Sequence, residues 1–160
     1  MIILGIDPGL IQTGFGVINI KNDIPLLVDY GVVKPMQKDP LALRLLTIYK
    51  DVVEIINKYH PIVCAIEDVF YGKNIKSTLL LGQARGAAMV AAGSKDISIF
   101  EYSARKVKQS ITGNGNAHKE QVQFMVKAKL NLNSLPEPID AADALAIALC
   151  HNHQFRIGDI

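Results

Sequence analysis

A chain of 160 residues has room for one domain with a substantial core, and 49% hydrophobic residues with a positive mean hydropathy exclude a disordered chain. No apolar run reaches bilayer length, and Met1 leads straight into the first apolar run without a basic n-region or a cleavage site, so the expected location is the cytoplasm. A net charge of +2 says little about partners, and Cys64 in an apolar run and Cys150 in a helical one read as small buried hydrophobes rather than a disulfide.

The first expected strand covers 2–7 and is apolar on both faces, which suits a central position in a sheet. Pro8-Gly9 turns the chain. Strands follow at 14–20 and 26–33 around the polar break Lys21-Asn22-Asp23, completing an antiparallel three-strand meander. Asp39-Pro40 reads as an N-cap with proline at the first helical position. Leu41, Leu45, Ile48, Val52, Ile55, Ile56 and Tyr59 then recur at helical spacing up to the break at Pro61. A strand at 62–67, a helix at 75–92, a short strand at 97–100, basic amphipathic helices at 103–110 and 117–130, and a last helix at 139–152 complete the order. Three sequential strands followed by alternating helices and strands predict an α/β fold: one five-stranded mixed sheet with helices on both faces. With no repeat, linker or low-complexity tract, residues 1–160 read as a single domain.

Four carboxylates stand out. Asp7 and Glu67 end two apolar strands expected to run parallel, and the C-terminal ends of such strands are where ligands bind in open α/β sheets. Asp140 and Asp143, three residues apart, share one side of the last helix. Each acid alone has an ordinary reading: a turn residue for Asp7, a solvated strand end for Glu67, dipole compensation for the other two. Together they are costly, because two carboxylates about 4 Å apart repel by roughly 4 kcal/mol at an effective dielectric near 20. Ala141, Ala142, Ala144, Ala146 and Ala148 keep the last helix thin enough to bring its acids to Asp7. Oxygen donors without histidine or cysteine suit Mg²⁺ or Mn²⁺, and two such ions about 4 Å apart form a clamp for phosphodiester chemistry. Asp68 points the other way by strand alternation and reads as a bystander.

Several stretches resemble the RuvC family of Holliday junction resolvases: Ile-Leu-Gly-Ile-Asp-Pro-Gly (3–9), Thr-Gly-Phe-Gly-Val (13–17), Ala-Ile-Glu-Asp-Val-Phe (65–70) and Leu-Gly-Gln-Ala-Arg-Gly (81–86). Val-Lys-Gln (107–109), Thr-Gly-Asn-Gly (112–115), Lys119 with Gln-Val-Gln (121–123), and Asp-Ala-Ala-Asp-Ala-Leu-Ala-Ile-Ala (140–148) extend the resemblance along nearly the whole chain. It implies a ribonuclease H-like nuclease domain whose four active-site acids are Asp7, Glu67, Asp140 and Asp143, holding two Mg²⁺ ions with Mn²⁺ as substitute. It also implies a homodimer that nicks two like-polarity strands of a four-way DNA junction, leaves 5′-phosphate and 3′-hydroxyl ends, prefers thymine-containing steps and acts after the RuvA and RuvB branch-migration proteins.

Residues around the acids carry two readings each. Phe70 stacks on junction bases by the resemblance, or packs under a loop; for Tyr71 the packing reading is preferred. Lys108 and Lys119 match the family's basic active-site residues, although helix lysines are more often solvated. Lys73, Lys76 and Arg105 are expected DNA contacts of a generic kind, and Lys106 reads as a basic-face residue. The Gly113–Asn116 stretch offers either backbone N–H groups to a phosphate or a flexible turn with Asn116 as N-cap. Helix 75–92 is apolar on too many sides for a helix covered on one side, which fits deep burial or a two-fold dimer contact through Gly82 and Gly86. His118, His151 and His153 are expected to be solvated or dipole-compensating, and His60 a loop residue. The competing functions are a junction-binding module without cleavage and a related resolvase-like nuclease acting on RNA. A sugar-kinase or actin-like lobe would need a second lobe for which 160 residues leave no room.

Overall fold

The computed structural model describes residues 1–69 and 72–158, with side chains described up to Phe155. The elements are β1 (Ile2–Asp7), β2 (Thr13–Lys21), β3 (Ile24–Val33), α1 (Leu41–Tyr59), β4 (Val63–Glu67), α2 (Ile75–Gly93), β5 (Ser98–Tyr102), α3 (Ala104–Thr112), α4 (Lys119–Lys129) and α5 (Ile139–Gly158). They form one sheet in the order β3-β2-β1-β4-β5. The meander β1-β2-β3 is antiparallel, and β4 and β5 join it parallel to β1. The expected five-stranded mixed sheet with helices on both faces is the fold observed.

Strand alternation divides the core. Ile3, Ile18, Val63 and Ala65 face α3, α4 and α5, where Val107, Val122, Val126 and Leu145 meet them. Leu4, Ile6, Val17, Cys64 and Ile66 face α1 and α2, where Ile48, Val52, Ile56, Ala84 and Ala88 cover them. Central strands covered on both faces must be apolar on both, which explains their lack of alternation in the sequence.

α5 lies against β1 and β2 because the strands are hollowed for it as well as the helix being thin. A Cβ on Gly5 would sit 2.0 Å from the Ala144 carbonyl oxygen, one on Gly14 would sit 2.0 Å from that of Asp140, and one on Gly16 would press on Leu145. Glycines in strands and alanines on the helix thus bring two backbones together, and α5 enters with its first turn over the start of β2.

Several expectations are corrected. α1 starts at Leu41 with Pro40, not Asp39, at the N-cap: Pro40 is extended (ψ 150°) and its carbonyl accepts from the N–H groups of Leu43 and Arg44. α4 starts later than expected, with His118 rather than Asn116 at the N-cap, and the Gln121 side chain accepts from the His118 N–H at 3.1 Å. β5 extends to Tyr102, which pairs with Glu67, and α5 runs on to Gly158. His151 is not solvated: it is 1% exposed, its Nδ1 is 2.8 Å from the Tyr102 hydroxyl, and its ring packs on Phe100 and Phe155. Those aromatic partners come from β5 and from the added turn of α5, so the longer elements and the buried histidine are one feature.

Candidate metal centre and nucleic-acid cleft

The parallel register sets Ile6 beside Ile66, so Asp7 and Glu67, next along their strands, end side by side at the C-terminal edge of the sheet. The N-terminal end of α5 delivers Asp140 from its first turn and Asp143 from the next. Asp7, Asp140 and Asp143 each place an oxygen within 4.8 Å of the others. Glu67 flanks this trio, close enough to Asp7 for the two carboxyls to perturb one another.

The electrostatics are those of crowded acids away from bulk water. Burial, then the neighbouring Glu67 carboxyl, then Asp143 and Asp140, raise the Asp7 carboxyl well above the ordinary carboxylate range. Glu67 is raised by burial and Asp143, against the neighbouring Asp7 carboxyl and the charges of Lys119 and Lys108. Asp143 is raised by burial, with Lys119 pulling the other way. Lys119 Nζ lies 3.1 Å from Asp143 Oδ2. Burial would lower that ammonium, but the charge and hydrogen bond of Asp143 outweigh it and raise it.

Lys119 and Lys108 line a cleft of about 140 Å³ together with Asp7, Glu67 and Asp143. Its floor is carboxylate and one wall is ammonium, the arrangement a phosphodiester held over cations requires. Arg105 lies apart from the acids. It lines a neighbouring groove with Asp68, Val69 and Ser103, and its side chain braces Gly115, where a Cβ would sit 2.8 Å from Arg105 Cγ. Lys73 is exposed ahead of α2 and Lys76 is exposed in its first turn; neither lines the acidic cleft. Phe70 and Tyr71 lie outside the described residues.

The turn at Gly113–Asn116 has its N–H groups occupied. Gly113 donates to the Gln109 carbonyl, Asn114 to Thr112 Oγ1, Gly115 to Gln109 Oε1 and Asn116 to Asn114 Oδ1. The phosphate-cradle reading is therefore corrected to a self-bonded turn, which sets the entry of α4 and hence of Lys119.

Three residues at the site carried no functional reading in the sequence. Gln12 donates its side-chain amide to Asp140 Oδ2. Buried Thr13 closes the turn after Asp7, its Oγ1 accepting from the Gly9 N–H at 3.2 Å and donating to the Gly9 carbonyl at 2.8 Å. Arg85 donates Nε–H to the Glu67 carbonyl at 2.9 Å and ion-pairs with Asp68 and Glu101, so Asp68 is no bystander. A signal for Arg85 was present, since it is the one charged residue between Lys76 and Lys95 in an otherwise Ala-, Gly- and Leu-rich helix. Gln12 has no such signal, because its partner lies 128 residues away.

A family model described as crossover junction endodeoxyribonuclease RuvC matches residues 3–151. A curated relative of that name from Ruminiclostridium cellulolyticum is 46% identical over 158 residues, covering 99% of this chain and 95% of the relative. The solved Thermus thermophilus RuvC superposes with a TM-score of 0.91 at 35% identity, covering 99% of this chain and 97% of that one. Thermus thermophilus RuvC in complex with Holliday junction substrate superposes at 0.93 with 36% identity, over 99% and 96% of the two chains.

Proposed function

The chain belongs to the RuvC family of crossover junction endodeoxyribonucleases, and from that membership we propose that it resolves four-way DNA junctions by paired, symmetric nicks on like-polarity strands. The whole chain acts as one nuclease domain. Holliday junction DNA is the substrate in the complex of the Thermus thermophilus relative, and the same substrate suits a cleft with a carboxylate floor and an ammonium wall.

The observation that carries this reading is the meeting of Asp7, Asp140 and Asp143 within 4.8 Å, with Glu67 alongside. Half-buried acids crowded together, with Lys119 and Lys108 the counter-charges that line the cleft, are the donor set of a hard divalent cation rather than of zinc. Asp7, Glu67, Asp140 and Asp143 would hold two Mg²⁺ ions, for which Mn²⁺ substitutes. Bound there, the ions supply Lewis acidity to the attacking water and to the leaving oxygen. The residues do the rest. Gln12 fixes the rotamer of Asp140, Lys119 and Lys108 set a phosphate against the acids, and Phe70, Lys73, Lys76 and Arg105 extend the contact along the DNA. The products are 5′-phosphate and 3′-hydroxyl ends.

A homodimer through α2 supplies the two-fold partner that paired nicks need, and the RuvA and RuvB branch-migration proteins deliver the junction in the cytoplasm. A binding module without cleavage is disfavoured, because four acids in a DNA cleft weaken binding unless they hold cations.

The test is incubation of the purified chain with a synthetic four-way junction and a matched duplex, with and without Mg²⁺. Mg²⁺-dependent symmetric nicking of the junction alone is expected. Asp7→Asn lowers it by at least about 100-fold while junction binding in chelator survives or tightens. Undiminished nicking in chelator, or by Asp7→Asn, would refute the metal mechanism.

A further inference from the structure

We infer that Arg85 is a positioning residue for Glu67, reaching from α2 to lock the carboxylate end of β4 in the geometry that a metal ion needs. The inference rests on the metal-site reading above.

Glu67 is the last residue of β4. Its orientation is set by what holds that end. Strand alternation turns its carboxylate to the α5 side, toward Asp7; in the peptide that follows, the Asp68 N–H donates to the Tyr102 carbonyl at 2.8 Å and the Glu67 carbonyl accepts from Arg85 on α2. Arg85 holds this end through Nε and Nη2 of its guanidinium. Nε donates to the Glu67 carbonyl at 2.9 Å, while Nη2 pairs with Glu101 on β5 and, at 3.6 Å, with Asp68. The Arg85 side chain is 15% exposed, whereas its partners Glu101 and Asp68 are 49% and 55% exposed, so the guanidinium is held from the protein side and its carboxylates face solvent. One planar cation thus ties together the end of β4, the residue after it and the neighbouring strand. A lysine can neutralise Glu101 and Asp68 but has no second, fixed donor for the Glu67 carbonyl. Groups that orient metal ligands from behind typically change metal affinity by about 10- to 100-fold when removed.

Arg85→Lys is therefore the informative substitution, read by Mn²⁺ titration calorimetry, thermal unfolding in chelator, junction affinity in chelator and cleavage across Mn²⁺ concentrations. Mn²⁺ affinity is expected to fall about tenfold. Cleavage should fall at low Mn²⁺ and recover at saturation, with junction affinity in chelator and the unfolding midpoint close to the parent. Parent-like Mn²⁺ affinity in Arg85→Lys would overturn the inference, since a purely structural ion pair is rescued by lysine. Should that variant fail to fold, Glu101→Gln loosens the same guanidinium and is expected to weaken Mn²⁺ binding roughly two- to fivefold; unchanged affinity would again overturn it. Asp7→Asn in the same titration separates the two claims. If it binds Mn²⁺ as tightly as the parent, the metal-site reading fails; if it loses Mn²⁺ and Arg85→Lys does not, only the role of Arg85 fails.

Discussion

Asp7 beside Glu67 is pushed toward its protonated form, which neither carboxyl keeps in water at neutral pH. The folded chain supplies the reason to keep it: burial first, then the charges of the other acids. Asp7, Glu67 and Asp143 all bind protons more tightly folded than unfolded, so the metal-free site loses stability as pH rises from about 4 through their raised folded values. Asp7→Asn removes the residue most affected. In chelator its unfolding midpoint should exceed that of the parent by a margin that widens from pH 6 to pH 9, reaching about 1–2 kcal/mol or roughly 2–5 °C. Saturating Mg²⁺ should reverse the order, because ligand binding to the folded state stabilises the parent. A margin independent of pH would rule out the crowded-acid account. Lys119 is the counterpart: it holds Asp143 at 3.1 Å and lies on the cleft wall. Lys119→Ala should cut cleavage about 100-fold with the fold intact, as for loss of one transition-state donor. It should also move the onset of Mn²⁺ binding to higher pH, since Asp143 then lacks its nearby cation; an unchanged rate and onset would return Lys119 to the solvated surface.

At the scale of elements, the site exists because α5 can sit almost on the backbone of β1 and β2. Gly14→Ala tests this directly. The added carbon would stand 2.0 Å from the Asp140 carbonyl oxygen, so the first turn of α5 must lift and carry Asp140 away from Asp7. Expected are a stability loss of about 1–3 kcal/mol from overpacking and a fall in Mn²⁺ affinity measured by calorimetry; a variant with parent affinity would show that the acids do not depend on this contact. The sequence made half of this contact legible. The alanines of the last helix announced a thin helix, two-sided apolar strands announced a central β1, and the parallel strand ending at Glu67 put the fourth acid beside Asp7. What was missed lay in partners distant along the chain. Gly5, Gly14 and Gly16 read as unremarkable strand residues until α5 is laid on them, and Gln12 and Arg85 act on groups that only folding brings near. His151 was misread for the same cause, its burial depending on Phe100 and Tyr102 from a strand whose end the sequence put two residues early. The cap errors at Pro40 and His118 are local: both rest on backbone dihedrals and turn bonds that composition does not encode.

At the scale of the molecule, α2 carries a burden that one copy of the chain does not explain. Ala84, Ala88, Ala91 and Ala92 cover the sheet, while Ile75, Leu79 and Val90 on the opposite stripe are 75%, 64% and 62% exposed. Gly82 and Gly86 lie in that stripe, and a Cβ on either would meet nothing within 4 Å. Each glycine costs a helix interior about 0.5–1 kcal/mol relative to alanine, with no compensating contact among the described residues. A second α2 crossing on the same stripe would supply it, since glycine lets helix backbones approach and a two-fold axis presents the same face from both copies. The double substitution Gly82→Ala, Gly86→Ala separates the possibilities by sign. On an open helix it would raise the unfolding midpoint through better helix propensity. Against a second copy it should lower the midpoint, and a light-scattering mass should shift from dimer toward monomer as concentration falls from about 100 to about 1 µM. The dimer account also requires the parent midpoint to rise with concentration, and paired nicking of a junction to decay into single nicks when the interface is weakened. A midpoint indifferent to concentration, together with stabilisation by the two alanines, would mean that the stripe is bare and that paired cleavage needs another source of two-fold symmetry.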